Sequence, residues 1–524
     1  SAPVDSAVAA GDLAVACGVL REAAAAPPPG VLRRVEVAAQ RRGNFGLAAA
    51  MAAALVPHGA TTSDWREDGE VPYRDVPRSP PPAEVPTPLV VPEVDVVRIP
   101  PREHARLLPV HTTTGFAPAE ATPLYVSTGS ELLAYDLTAQ GSRPLLFAQS
   151  IEYLEHVLLC GATLVVPDME RVFAIDHRTG ELRWELPNRE QRLLESLGVT
   201  AGVLHVIAQP KVPDGQALLL GIEPLSGAVL FERACPAEQL KAKPAGGELL
   251  LLELGAEPRV LRIDPVFGTE RGTTPLAAGL ARAGLQLRAD SLTTRLYPQA
   301  LFTVGDLLVL PADATQGGSE PMLVAIARDG SVVWQWRGQS GAELAMAQRR
   351  GDVVVLVEAS EQRSGRALAL NGADGRVLRE VDLGHHATIL NWDRYTWLDN
   401  EAPAVLALES AIDQDGRQRQ FVGFAVDAGI ESFVVPLGAG DGEIERRPQF
   451  GPDFVTFGVR PARANGPFRL YALDLATRAG RFADGARYRR IDTAGTPHGM
   501  TAKGAYTVLS TTQGLLVLGQ PRNR

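Results

Sequence analysis

The chain has 524 residues, of which 45% are apolar, and its 51 basic and 61 acidic side chains give a formal net charge of −10. Sequence-independent binding of nucleic acids depends on clustered cations that neutralise phosphates, so this composition argues against that class of function. No apolar run is long enough to span a membrane.

Residues 1–60 have the composition of a short α-helical segment. Two Ala-rich stretches, 7–26 and 31–55, are separated by Pro-Pro-Pro-Gly at 27–30, and Arg-Gly-Asn at 42–44 interrupts the second stretch. The segment 9–17 resembles the first helix of a tetratricopeptide-type repeat. Helices this short are marginal alone, so we expect them to dock on the rest of the chain or to be the remnant of a longer helical array.

Residues 61–101 form a predicted Pro-rich linker. Ten of the thirty residues from 72 to 101 are proline. Such a composition favours an extended, semi-rigid segment, which we expect to lie along the domain that follows.

One pattern recurs through residues 102–524 at intervals of roughly 40 to 60 residues, a period typical of repeat folds. Its clearest copy, 172–184, has an apolar strand, a polar turn that ends in Gly180 and a second strand that includes Trp184. It predicts a β-hairpin. The copies can be aligned on one turn position, occupied by Asp136, Asp176, Glu223, Asp264, Ala327, Asn371, Asp427 and Asp474, and a truncated copy follows near 516–519.

A further apolar strand precedes nearly every copy, as at 161–166 and 306–310. Units of four short antiparallel strands are the repeats of a β-propeller. We therefore predict an all-β, eight-bladed β-propeller over 102–524, with four antiparallel strands per blade and a small α-helical N-terminal extension. Because nine hairpins can be counted, nine blades is the alternative. We expect the hairpin 506–519 to pair with N-terminal strands at 94–98 and 106–108 in one mixed blade that leaves no exposed sheet edge.

The consensus of the copies resembles the PQQ-like β-propeller repeat, and the resemblance covers about residues 105–520. This consensus is apolar-x-Ala-Leu/Ile-Asp-x-x-Thr-Gly-x-x-x-Trp. In this fold the Asp accepts hydrogen bonds from turn amides, the Gly adopts a positive φ and the aromatic residue packs between sheets. The residues predicted to have these structural roles are Asp136, Asp176, Gly180, Trp184, Asp264, Trp334, Asp427 and Asp474. The resemblance also implies two classes of function, quinone-dependent dehydrogenases and non-enzymatic periplasmic scaffolds.

Cofactor chemistry finds little support in the sequence. Quinone-dependent members of the family would imply a vicinal Cys pair, a calcium-binding Glu/Asn/Asp set and a Trp platform, but Cys17, Cys160 and Cys235 are far apart. A phosphate loop, HExxH and GxSxG are absent. The Asp-x-Asp-Gly at 413–416 lacks a following acidic ligand, so a hairpin turn is favoured over calcium. We predict no cofactor and no metal, and favour a non-catalytic protein.

One segment, 384–400, departs from the repeat. It holds two of the nine His and two of the six Trp residues, with a Tyr and an Arg. Trp, Tyr and Arg dominate the energetics of protein interfaces. The residues of the predicted partner-binding site are Trp392, Arg394, Tyr395, Trp397, His385 and His386. The alternative is that His386 and Trp392 fill space between blades, and a second, weaker candidate site is 291–298.

The favoured function is a non-catalytic protein-binding scaffold or assembly factor of the cell envelope, with protein partners and, as the family resemblance implies, an extracytoplasmic location. The alternative is a degenerate quinoprotein-like dehydrogenase or a propeller that binds a small ligand in its central channel. Convergent carboxylates in the channel would favour the alternative, and small or apolar residues the scaffold.

Overall fold

The computed structural model describes most of the chain outside the Pro-rich segment. The described residues are 13–22, 27–55, 95–99, 106–287 without 109, 114, 118, 120–122, 137–144, 153, 155, 169–170, 187–192, 211–215, 236–239, 246 and 255–256, and 301–519 without 316–319, 360–364, 385–386, 390–404, 411–419, 426–431, 437–440, 445–448, 451–453, 462–467, 475–476, 478, 481–485, 492–496, 504–505 and 512–513. They belong to two compact units, one within 1–84, 108–253 and 261–272 and the other within 85–107, 254–260 and 273–524.

The described residues contain four helices, which are α1 (Leu13–Glu22), α2 (Pro29–Arg41), α3 (Phe45–Leu55) and α4 (Ala277–Arg282). Helix α2 begins with Pro29, at a position where the N–H that proline lacks would have no intrahelical partner. It packs against both α1 and α3. We call residues 13–22 and 27–55 the helical segment. None of the helices in the described part of the chain is long and apolar enough to cross a membrane.

The first half of the strands runs to residue 287. They are β1 (Asp95–Ile99), β2 (Arg106–Leu107), β3 (Val110–Thr112), β4 (Leu124–Ser127), β5 (Glu131–Tyr135), β6 (Leu145–Ser150), β7 (Val157–Cys160), β8 (Thr163–Pro167), β9 (Val172–Asp176), β10 (Leu182–Glu185), β11 (Leu193–Thr200), β12 (Val203–Gln209), β13 (Ala217–Ile222), β14 (Val229–Cys235), β15 (Leu240–Ala245), β16 (Glu248–Glu253), β17 (Arg259–Ile263), β18 (Glu270–Pro275) and β19 (Leu285–Leu287).

The remaining strands begin after residue 301. They are β20 (Phe302–Val304), β21 (Leu307–Ala314), β22 (Met322–Ile326), β23 (Val332–Arg337), β24 (Glu343–Arg350), β25 (Val353–Ala359), β26 (Gly365–Asn371), β27 (Val377–Gly384), β28 (Ala387–Ile389), β29 (Val405–Ser410), β30 (Gln420–Ala425), β31 (Ser432–Pro436), β32 (Asp441–Ile444), β33 (Gln449–Phe450), β34 (Phe454–Pro461), β35 (Phe468–Asp474), β36 (Tyr488–Ile491), β37 (Pro497–Lys503), β38 (Tyr506–Thr511) and β39 (Gly514–Gly519).

In the described residues these strands form nine sheets of four or five strands. Seven of them follow one another along the chain, in the orders β3-β7-β8-β9-β10, β11-β12-β13-β14, β15-β16-β17-β18, β19-β21-β22-β23 with β20 beside β21, β24-β25-β26-β27, β28-β29-β30-β31 and β32-β34-β35-β36 with β33 beside β34. The other two have the orders β2-β4-β5-β6 and β1-β39-β38-β37. All the pairings in the described registers are antiparallel except that of β3 with β7. The all-β propeller class therefore fits the prediction.

The predicted number of eight blades is wrong. Each of seven blades contains a run of four or five consecutive strands, and β3 is added to the blade of β7–β10. The two further sheets each combine three consecutive strands with β1 or β2. We expected 94–98 and 106–108 to enter one mixed blade. Instead, β1 pairs with β39, so that Asp95 lies opposite Gly519, whereas β2 joins the separate sheet of β4.

In the sheet β3-β7-β8-β9-β10 the inner strands are buried on both faces. In β8 and β9 all residues but the last are buried, and their sequences are continuous apolar runs rather than alternating ones, as expected for strands covered on both sides. The outermost strand of the same sheet, β10, buries only Trp184. In this sheet the core therefore lies on the two faces of the inner strands, and the outer strand is largely exposed.

Neighbouring sheets are joined where the aromatic residue of one outer strand packs on the glycine of the next repeat turn. A Cβ on Gly227 would lie 2.7 Å from the Trp184 ring, and the Trp184 indole Nε1 donates a hydrogen bond of 2.8 Å to the Pro224 carbonyl. Trp334 packs on Gly375 in the same way and donates from Nε1 to the Gly372 carbonyl at 2.8 Å. Glycine is required at both turn positions by the contact and by a positive φ.

The turn itself is capped by its acidic residue. The Asp176 Oδ1 accepts hydrogen bonds from the amides of Arg178 at 2.9 Å and Thr179 at 3.0 Å, and Arg183 donates to Oδ2 at 2.7 Å. Burial alone would raise the pKa of Asp176, but these amide and guanidinium donors outweigh it and lower the pKa to about 2.

The other predicted repeat residues have related contacts where they are described. The Asp264 Oδ1 accepts from the amides of Val266 and Phe267, both at 2.8 Å, and the Asp474 Oδ1 accepts from the Thr477 amide at 2.7 Å. Asp136 lies 3.9 Å from the Arg178 guanidinium. Asp427 lies outside the described residues.

We predict that Trp184→Ala lowers the free energy of unfolding by about 3 to 5 kcal/mol, since it removes a buried aromatic side chain and a hydrogen bond between sheets. Leu182→Ala, on the same strand, is the matched control, because Leu182 is 61% exposed; we expect it to cost less than about 0.5 kcal/mol. Urea denaturation followed by fluorescence and circular dichroism measures both. Equal losses from the two variants would contradict the account.

Candidate functional site at the helix–sheet junction

The partner-binding residues predicted from the sequence lie outside the described residues. His385 and His386 fall between β27 and β28, and Trp392, Arg394, Tyr395 and Trp397 fall between β28 and β29. The segments 291–298 and 413–416 also lie outside the described residues. The predicted interface therefore stays a prediction.

A different site is formed where the N-terminal helices contact turns of the sheets. The connection between α2 and α3 enters a group of sheet turns, where the Gly46 amide donates to the Gly115 carbonyl at 2.7 Å and the Ala117 amide donates to the Gly43 carbonyl at 2.8 Å. Asn44 also forms an isolated antiparallel bridge with Phe116. We call this region, in which residues 43–47 contact 115–117, 201–202 and 223, the helix–sheet junction.

Asn44 is the central side chain of the junction and is completely buried. Its Oδ1 accepts a hydrogen bond from the Leu47 amide at 3.0 Å, which caps the N-terminus of α3. Its Nδ2 donates to the Gly202 carbonyl at 3.0 Å and to Glu223 Oε1 at 2.6 Å. One side chain thus begins a helix and fixes that helix to two turns of the sheet β11–β14.

Glu223 occupies the turn position that is Asp in most copies of the repeat, and it too is completely buried. Its Oε2 accepts from the amide and the hydroxyl of Ser226, at 2.8 and 2.7 Å, which reproduces the cap of the Asp turns. Its Oε1 is then left to accept from Asn44. An Asp side chain is one methylene shorter, so the Glu explains how one carboxyl group serves both the turn and the helix.

The electrostatics of the junction are those of a buried structural site. Burial raises the pKa of Glu223, although hydrogen bonds from Ser226 and Asn44 act in the opposite direction. Burial also raises the pKa of the nearby Cys160 thiol to about 12, against the effect of a hydrogen bond from Thr113. A protonated, fully buried thiol is not a nucleophile. Across the described ranges, no group of three or more His, Cys, Asp and Glu side chains could hold a metal ion.

Close backbone contact completes the junction. Gly202 has a φ of +73°, and a Cβ on it would collide with the Asn44 side chain and the Leu47 amide nitrogen. A Cβ on Gly46 would lie 2.7 Å from the Gly202 nitrogen. Ala201, beside Gly202, is the one non-glycine residue of the described chain with a positive φ, at 52°. Only small residues allow the turn and the helix to approach this closely.

Apolar packing extends the contact beyond the junction. One cluster of buried side chains contains Val35, Leu47 and Met51 from the helices together with Val203 and Phe231 from the sheet. At the surface, the Arg21 guanidinium lies 3.1 Å from the Glu232 carboxylate, but both side chains are 44% exposed, so this pair adds little stability. The helical segment is thus docked on β11–β14 by a continuous core. This agrees with the expectation that these helices dock on the rest of the chain.

The sequence carried only indirect signals for this site. Asn44 was visible as part of a break between two Ala-rich stretches, and Glu223 as the single Glu among the aligned turn residues. The pattern does not show that the two meet, because they are 179 residues apart.

The repeated four-stranded antiparallel sheets place the chain in the β-propeller class. No protein-family model matches the sequence. No curated protein matches it significantly either. Similar solved structures include BamB from Moraxella catarrhalis, with a TM-score of 0.34 and 14% identity over 83% of this chain and 99% of that one. The WD40 domain of SCAP from fission yeast has a TM-score of 0.37 and 7% identity over 81% and 98% of the two chains. The Dos1 propeller has a TM-score of 0.35 and 12% identity over 77% and 93%. Similarities of this size do not bear on function.

We predict that Gly202→Ala destabilises the docked helices more than Gly305→Ala does. Both glycines have a positive φ, but a Cβ on Gly305 would meet nothing within 4 Å. We expect a loss of about 1 to 2 kcal/mol at Gly305 from backbone strain alone, and at least about 2 kcal/mol more at Gly202 from the collision. Urea denaturation gives the free energies, and hydrogen exchange of α2 and α3 shows whether the helices are affected. Equal losses, or unchanged helix protection in Gly202→Ala, would contradict the role given to the junction.

Proposed function

We propose that the protein is a non-catalytic protein-binding scaffold or assembly factor of the cell envelope, built on a PQQ-like β-propeller and located outside the cytoplasm. The observation that carries this proposal is the helix–sheet junction. It uses completely buried polar groups to hold a helical segment in one position on a sheet.

The chemistry of the junction supports binding rather than catalysis. Asn44, Glu223 and Cys160 are each 0% exposed, so none of them can contact a substrate. The hydrogen bonds of Asn44 cap α3 and join it to Gly202 and Glu223 of the sheet. The junction fixes the position of the helical segment on the sheet β11–β14. A helical surface that is fixed on a sheet adds a second kind of binding surface in a defined orientation, and preorganisation of this sort favours association because less entropy is lost on binding.

The exposed face of the helical segment is suited to protein contact. Helix α1 leaves Val15 45% exposed, and Arg41 and Arg42 are exposed at the end of α2. Exposed apolar side chains and arginines are residue types that protein interfaces use.

The segment 384–400 supplies the second proposed contact surface. Trp392, Arg394, Tyr395 and Trp397 remain the residues proposed to bind the partner, with His385 and His386 beside them. Aromatic residues and arginine carry most of the binding energy at interfaces, and these four lie within six residues of one another. The residue pattern at 172–184 supports the PQQ-like assignment. That assignment in turn supports a location in the cell envelope.

We predict that a Trp392→Ala/Tyr395→Ala/Trp397→Ala variant loses a protein partner that the intact chain binds. The intact chain and the variant are used to capture proteins from an envelope fraction, the partner is identified by mass spectrometry, and its dissociation constant is then measured with purified proteins. We expect at least a hundredfold weaker binding by the variant, since interface aromatics commonly contribute about 2 kcal/mol or more each.

The matched control is Leu182→Ala/Val333→Ala/Val377→Ala. It also removes three large side chains, and these are exposed by 61%, 48% and 44% on the outer strands of other sheets. The control must bind like the intact chain, and all three proteins must have equal melting temperatures. Failure of the intact chain to bind any envelope protein would contradict the scaffold function. Equal binding by the intact chain and the triple variant would contradict the assignment of the interface.

A further inference from the structure

Besides Glu223 in the sheet, a buried carboxyl group lies in the helical segment, and it takes no part in the hydrogen bonds of the junction. Glu36 lies on α2 and is 0% exposed. Within the described residues, neither of its carboxyl oxygens has a hydrogen-bond partner. An ionised carboxylate in such a place would be strongly destabilising, so burial favours the protonated form.

The groups around Glu36 do not compensate for this burial. The helices that pack against α2 are α1 and α3. Helix α3 has no ionisable side chain, and the ionisable residues of α1 are Cys17, which is buried, Arg21, which contacts Glu232, and Glu22, which is exposed. On α2 itself the ionisable residues besides Glu36 are Arg33, Arg34 and Arg41. Burial raises the pKa of Glu36 to about 8, and the charge of Arg33 opposes this only in part.

We propose that the helical segment is a proton-dependent element, which is closed on the sheet while Glu36 is protonated and opens more readily as the proton is lost. The geometry that carries this is a carboxyl group that is completely buried without a hydrogen-bond partner, in a helical segment that packs on the sheet β11–β14. The proposal concerns the chain itself and holds whether or not the scaffold function is correct.

The direction of the pH effect follows from proton linkage. When the segment opens and Glu36 meets water, its pKa returns to about 4.5. Between pH 4.5 and 8 the closed state therefore binds one more proton than the open state, and closing weakens by up to tenfold per pH unit. Below this range both states are protonated, and above it both are ionised, so the dependence levels off at each end. The closed state is most stable in acid.

We predict that the opening equilibrium constant of the helical segment rises about a hundredfold or more between pH 5 and pH 8. Hydrogen exchange of the full chain, read by mass spectrometry on peptides from α1 to α3 and corrected for the intrinsic effect of pH, measures this constant. Glu36→Gln keeps the size of the side chain but cannot ionise. We expect it to reduce the rise at least tenfold, with any remainder due to Glu223, whose pKa is shifted in the same direction.

Glu22→Gln is the matched control, because Glu22 is an exposed carboxylate on the neighbouring helix. It should show the same rise as the unmodified chain. Glu36→Leu provides a second uncharged variant if Glu36→Gln does not fold, with the same reduced rise expected. The proposal would be overturned by a rise of less than threefold in the unmodified chain, or by an undiminished rise in the Glu36 variants.

Discussion

The structure depends on one contact, which recurs in the described residues at the turns that contain Gly180, Gly227, Gly268 and Gly375. An aromatic side chain on the outer strand of one sheet packs against a glycine in the turn of the next, as Phe147 does at Gly180, Trp184 at Gly227 and Phe231 at Gly268. The glycine must have both a positive φ and no side chain, and the acidic residue before it holds the turn amides. The same few residues therefore shape each hairpin and position the sheet beside it.

Glu223 shows how this turn has been adapted to a further role. Its carboxyl group holds the Ser226 amide, as the Asp residues hold theirs, and its additional length brings the other oxygen to Asn44. The N-terminal helices are thus attached at a position that the repeat already makes rigid. The junction is a structural joint rather than a reactive centre, because its polar groups are buried and satisfied by one another.

Much of this fold could be predicted from the sequence, because the information is local. The pattern at 172–184 contains a complete hairpin, its cap and its aromatic contact, and the structure has β9 and β10 there. The number of blades depends instead on where short strands such as Arg106–Leu107 pair. A strand of two residues is too short to show the alternation of apolar and polar side chains by which strands are predicted. The junction could not be predicted either, since the Asn44–Glu223 contact is between residues distant in sequence, with different local roles.

The central claim, that Glu223 couples a sheet turn to the helices through Asn44, is tested most directly by a double-mutant cycle. Glu223→Asp should keep a turn cap but lose the contact with Asn44, and Asn44→Ala removes the contact from the other side. We predict a coupling of about 1 to 2 kcal/mol in the free energy of unfolding, so that the double variant is hardly less stable than the worse single one. The pair Asn44→Ala and Asp176→Ala, whose residues share no hydrogen bond, should be additive. Additive losses for Asn44 and Glu223 would contradict the account.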